Sequence, residues 1–291
     1  MRKLALFLLG VLLFLLVFWL GFMANFPGKA LSLLIASRIN KLPGIGVTLA
    51  PAELTWTSLT IPRLSLEAHA ARLPKPLLTL TDVTIPIGWK LLDGLPAQGT
   101  LGKQGRLEVY VPWNGKELSV RALQLRLEEI PALAALQPVK LRGGISFSGS
   151  LRFPERGRGG ASTRLPEGTI TGQGEALQVD NLEIMGAKLP PTRLERVDLR
   201  LKSGRRLEVE RLEFQGDVQG KITGAVTPRL ANPDSSGLQL RIAVSFRKSW
   251  LEQLGAMRPV VEAFLRNGRL EAALSGTVGR PRFNIQGGAR K

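Results

Sequence analysis

The residues best suited to chemistry are few. A hydrolytic centre needs a nucleophile, a base and an orienting group held together. The chain has one histidine and no cysteine. His69 sits in LSLEAHA, an alternating stretch in which a strand-surface or loop position is the expected role. Carboxylates come together in sequence as Glu128 with Glu129 and as Glu208 with Glu210. Neighbouring strand residues point to opposite faces, and Glu208 and Glu210 share one face among arginines, which makes a solvated ladder. No His, Asp and Glu cluster has metal-ligand spacing. GTITGQGEAL lacks the glycine spacing of a dinucleotide loop, and no phosphate-cradling loop ends in Lys-Ser or Lys-Thr. We therefore expect no enzyme, no cofactor and no metal. Two acidic residues from distant strands converging in a deep polar pocket would revive an envelope enzyme.

The elements that would position these residues are mostly strands. In RALQLRLEEI, Leu123, Leu125 and Leu127 fall on one face of an extended chain, with Gln124, Arg126 and Glu128 on the other. In RVDLRLK, Val197, Leu199 and Leu201 oppose Arg196, Asp198, Arg200 and Lys202, and in LQLRIAVSF, Leu238, Leu240, Ile242, Val244 and Phe246 oppose Gln239 and Arg241. Period-two alternation belongs to antiparallel sheets with one apolar and one wet face. The apolar residues so placed, Leu123, Leu125, Leu127, Val197, Leu199, Leu201, Leu238, Leu240, Ile242 and Val244, line either an open groove or a closed core.

The parity of apolar positions switches between Val209 and Leu212, with Arg211 as the extra residue of a β-bulge. Glycines recur inside strands, as in GGISFSGSLRF and GDVQGKITGAV, where they mark bends or close backbone approach. Two short helices are expected. One runs from Ile130 to Gln137 between prolines; the other runs from Trp250 to Arg266 behind Ser249 as N-cap, kinked or split at Pro259 and closed by Gly268. Residues 154–168 lack periodicity and read as a loop.

Residues 4–26 are uncharged and longer than the roughly 20 apolar residues a spanning helix needs. Leu4, Phe7, Leu12, Phe14, Trp19, Phe22 and Phe26 would face lipid. A cleaved leader has an apolar region of about 7 to 15 residues, and bulky Phe22, Met23 and Phe26 occupy the place for cleavage, so the segment reads as a retained anchor. Arg2 and Lys3 put the N-terminus in the cytoplasm and the remainder outside it. Pro27 and Gly28 end the span. From 28 to 42, Leu31, Leu34, Ile35, Ile39 and Leu42 recur at helical spacing, in an amphipathic helix that lies on the bilayer or caps the soluble domain. The chain thus divides into a cytoplasmic stub and anchor (1–27), a juxtamembrane helix (28–42) and an exported β domain (43–291).

The 291 residues carry 40 Lys plus Arg against 23 Asp plus Glu, a net charge of +17. Much of it belongs to the wet strand faces. An exported domain meets no DNA or RNA, and an aromatic content of 6% with the single Tyr110 offers no stacking platform for nucleic acid.

The order of features carries a resemblance: the anchor, FPGKALSLLIASRIN, a first strand block at GVTLAPAELTW, glycine-marked strands, and a closing GRLEAALSGTVGRPRFNI. This resembles the protein N family of the type II secretion system and, more distantly, the AsmA-like proteins. The sharpest pieces are Phe26-Pro27 and Leu274-Ser275-Gly276-Thr277 with Pro281 and Phe283. The resemblance implies a mainly β fold, a transmembrane helix followed by a curved antiparallel sheet that forms a groove or a flattened sandwich. It implies a single-pass inner-membrane protein of a Gram-negative cell with its bulk in the periplasm. Its partners would be the membrane and other inner-membrane secretion components. The AsmA-like alternative is a lipid-binding or lipid-transport protein whose partners are phospholipid acyl chains.

Overall fold

The computed structural model describes residues 13–14, 17–22, 25–40, 45–68, 76–134, 139–153, 165–184, 187–229 and 235–285. Alternating sequence makes strand after strand: β1 (Ile45–Leu49), β2 (Glu53–Leu54), β3 (Ser58–Ala68), β4 (Leu78–Pro86), β5 (Gly94–Leu101), β6 (Gly105–Pro112), β7 (Glu117–Arg126), β8 (Lys140–Arg152) and β9 (Glu167–Asp180). After a small hairpin of β10 (Glu183–Ile184) and β11 (Ala187–Lys188) come β12 (Thr192–Ser203), β13 (Leu207–Gly216), β14 (Val218–Thr227), β15 (Gly237–Phe246), β16 (Arg269–Thr277) and β17 (Arg280–Ile285). Apart from that hairpin, all join one 15-stranded sheet in the order β1-β3-β4-β5-β6-β7-β8-β9-β12-β13-β14-β15-β16-β17, with β2 also on β3. Every pairing is antiparallel. Among the described residues no second large sheet faces it, so the sandwich alternative falls away.

Register sorts the side chains. One face carries Ile61, Val83, Leu107, Ala122, Leu125, Ile145 and Phe147, then Val197, Leu199, Leu201, Leu212, Phe214, Ile222, Leu240 and Ile242. The other carries Arg106, Glu108, Arg121, Ser148, Thr171, Arg200, Arg211, Glu213, Lys221 and Arg241. Open twisted sheets rarely exceed about 10 strands without curling. Bulges supply bends here. Leu123 and Gln124 oppose Ser146, with Gln124 at φ 51 and its N–H donating to Ser146 Oγ at 3.0 Å. Gly143 (φ 120) faces Ala176 (φ 50), and Asp82 (φ 51) marks a third bulge, between β4 and β5. At the bulge expected near Val209, Glu210 and Arg211 together face Thr223 of β14, and Glu210 is the residue left out of the β12 ladder.

The apolar face is covered in two places. At β3–β8 the buried cluster of Ile61, Leu80, Val83, Leu101, Ala122 and Leu125 packs with Phe26 and with Leu31 of helix α1 (Gly28–Ile39). Gly28 lies so close that a Cβ would meet the Ala52 carbonyl oxygen, and buried Ser32 donates to Ala50 O at 2.8 Å. Helix α1 therefore caps the sheet, while its Leu33 and Leu34 stay exposed. At β12–β15, Trp250, Leu251 and Leu254 pack on Val218 and Phe246. Trp250 stacks on Phe246 with centroids 5.1 Å apart, and its indole N–H donates to Thr192 Oγ1 at 3.2 Å.

The helices differ in detail from the expectation of two. The C-terminal one is split into Lys248–Gln253 and Arg258–Ala263 by a 3-10 turn, with Pro259 opening the second piece. Its N-cap is Arg247, without a side-chain cap bond, in place of Ser249. Pro131–Ala134 is the described part of the helix expected over 130–137, and Lys90–Asp93 forms a further turn. His69 and most of the 154–168 loop lie outside the described residues.

Candidate functional site

Between its two caps no element among the described residues covers the apolar face. Of the residues expected to line a groove or core, Leu125 and Leu127 are buried, whereas Val197, Leu199, Leu201, Leu238, Leu240, Ile242 and Val244 are all only half-buried. A closed interior would hide them almost completely. Register places Val197, Leu199 and Leu201 beside Phe214, Leu212 and Val209. Leu238, Leu240, Ile242 and Val244 stand beside Val226, Gly224, Ile222 and Gly220. Together they form one apolar field over β12–β15, three strand spacings or about 14 Å wide. Glycines keep it low: a Cβ on Gly174 would crowd the side chain of Leu177, and one on Gly220 the ring of Phe214.

Leu123 is a correction. It pairs with Arg106, on the polar face, because the bulge at Gln124 reverses the alternation. Its place on the apolar face is taken by Ala122, which is 0% exposed. Sequence reasoning passed over Ala122, since small size gives it little weight in a hydrophobic pattern.

The expected carboxylates are tied to backbone and arginines. Glu128 Oε2 accepts from Gly143 N–H and Glu129 Oε2 from Lys103 N–H, both at 3.1 Å, so the pair ties strand β8 and the β5–β6 turn to this segment. Glu208 pairs with Arg206 at 2.9 Å and Glu210 with Arg200 at 3.0 Å. Arg211 and Lys221 flank Glu213, and the Arg211 hydrogen bond holds that carboxyl below its ordinary pKa. Asp198 in the same way raises Arg196. These ion pairs are exposed and screened by solvent, and serve mainly to solvate the face.

The polar face holds a shallow depression of about 930 Å³, lined by Asp93, Gln98, Arg106, Glu108, Tyr110, Arg121, Ser148 and Thr171 among others. Of its two carboxylates, Glu108 is paired with Arg106 at 3.2 Å. No group of three or more His, Cys, Asp or Glu among the described residues could hold a metal ion.

Leu4, Phe7 and Leu12 lie outside the described residues. Residues 13–14 and 17–22 are helical. Phe14, Val17, Phe18, Leu20 and Phe22 are exposed there, and Phe14 stacks on Phe18 at 6.4 Å. Trp19, Phe22 and Phe26 form a chain of ring contacts at 6.0 and 5.8 Å that leads into the first buried cluster. No helix among the described residues is long and apolar enough to cross a membrane. No family model matches the chain, nor does any curated protein or solved structure.

Proposed function

We propose that this chain is a non-catalytic accessory component of type II protein secretion, anchored in the inner membrane by residues 4–26 and working by protein contacts in the periplasm. The observation that carries a binding role is the single open sheet with its half-buried apolar field, which no element among the described residues covers. An apolar surface of that extent is a cost in water that a bound partner offsets. The resemblance in feature order supplies the secretion context. The free edge at β17, where every residue is exposed, adds a strand template for a partner chain.

The half-buried field also favours a second reading, an AsmA-like envelope protein that holds phospholipid acyl chains along Val197, Leu199, Leu201, Leu240 and Ile242. Deleting the gene distinguishes the two. Exoproteins trapped in the periplasm behind a tight outer membrane support secretion. Normal secretion with detergent-sensitive cells removes it and leaves the lipid path.

A further inference from the structure

Three of the five tryptophans are exposed, and all three stand at one rim of the sheet. Trp56 lies in the turn between β2 and β3, Trp89 in the β4–β5 connection, and Trp113 just after β6. Ile87 and Leu92 are exposed in the same β4–β5 connection, and Phe153 is exposed where β8 ends.

Pairing fixes the common rim: Ser58 lies opposite Pro86, Gly94 opposite Pro112, and Glu117 opposite Arg152. The loops are also joined directly. Ile87 N–H donates to Thr57 O at 2.7 Å, Trp113 N–H to Asp93 O at 3.3 Å, and Phe153 N–H to Lys116 O at 2.7 Å. The Trp113 indole N–H donates to Leu91 O. These side chains are therefore held outward on tied loops and form one patch along β3–β8, about 24 Å long at five strand spacings.

We propose that this rim docks on the lipid interface of the membrane that anchors the chain, a proposal that rests on the anchor reading above. Two features identify a bilayer as the occupant. Tryptophan with scattered Leu, Ile and Phe is the composition of interfacial belts, where an apolar ring body meets acyl chains and its N–H stays near headgroups. The apolar N-terminal segment also arrives at this corner: Phe26 packs on the β3–β8 cluster, Gly28 touches Ala52, and Ala52 precedes the Trp56 turn by a few residues. The anchor thus delivers these loops to the bilayer surface, and Trp89 (87% exposed) and Leu92 (70%) are the most prominent of them.

Because the chain has no cysteine, single nitroxide labels can be placed on the full-length protein by Leu92→Cys, Phe14→Cys and Lys103→Cys. Lys103 lies in the turn after β5, at the opposite rim. The protein is reconstituted in phosphatidylethanolamine and phosphatidylglycerol vesicles. Collision with oxygen is then compared with collision with a water-soluble nickel chelate. The expected result is an oxygen-to-nickel ratio at Leu92→Cys several-fold above that at Lys103→Cys and below that at Phe14→Cys, falling to the Lys103→Cys level when Trp89→Ser and Trp113→Ser are added. Equal ratios at Leu92→Cys and Lys103→Cys with a lipid-like Phe14→Cys would overturn the docking while leaving the anchor intact. A water-like Phe14→Cys overturns the anchor; a water-like Leu92→Cys beside it overturns the docking too, whereas a lipid-like Leu92→Cys upholds docking without the anchor.

Discussion

Leu123 and Leu125 are chemically identical, two residues apart, and energetically different. Leu125 is 4% exposed inside the first cluster, whereas Leu123 shares the polar face with Arg106. Truncating a buried leucine removes its transfer energy and leaves a cavity, about 2–5 kcal/mol together. Leu125→Ala should therefore lower unfolding stability by that amount, and Leu123→Ala by less than about 1.5 kcal/mol, half or less of full burial. Chemical denaturation of the two variants checks this, and equal losses would show that both leucines are core. The carboxylates show the same dependence on position. Glu128 and Glu129, side by side in sequence, hold two different backbone segments, Gly143 and Lys103.

Repeated bulges shape the strands. Asp82, Gln124 and Ala176 adopt left-handed backbone without being glycine, a strained choice that persists only where neighbours over-determine it. Gly143 is a position where glycine is needed, because at φ 120 a Cβ would stand 2.6 Å from Ala176 O. Gly143→Ala should destabilise the β8–β9 ladder by about 1–3 kcal/mol, whereas Gln124→Gly, which relieves strain, should leave stability unchanged or raise it by about 1 kcal/mol. Thermal unfolding of both variants is the check. A tolerated Gly143→Ala would mean that the β8–β9 bulge relaxes freely.

Across the whole molecule, two buried clusters bracket an apolar field that neither covers. Leu199→Glu with Leu240→Glu tests whether that field is open. An uncompensated carboxylate in a closed core costs several kcal/mol and would prevent accumulation of the protein. On an open face the double variant should accumulate with its fold retained, as circular dichroism reads it, yet fail to complement the gene deletion. Loss of the folded protein would show that the field is an interior. Normal complementation would show that the field has no function.

Alternation by itself determined that this is a mainly β chain with wet and apolar strand faces, because side-chain direction along a strand is a matter of counting by two. The same counting located the bulge at Val209–Leu212. Pro259 marked the split of the C-terminal helix, since proline lacks the N–H that a continuous helix requires. Only the tertiary structure decided the rest. Leu123 changed face because an extra residue, Gln124, is accommodated by hydrogen bonding to Ser146 on the next strand, a contact with no local signature. Whether Leu199 and Leu240 met a second sheet or open space depended on the order in which all the strands pair. That order is one continuous meander in a single sheet, and among the described residues no second large sheet faces it. The tryptophans, far apart in sequence, became one patch because antiparallel pairing returns every second connection to the same rim.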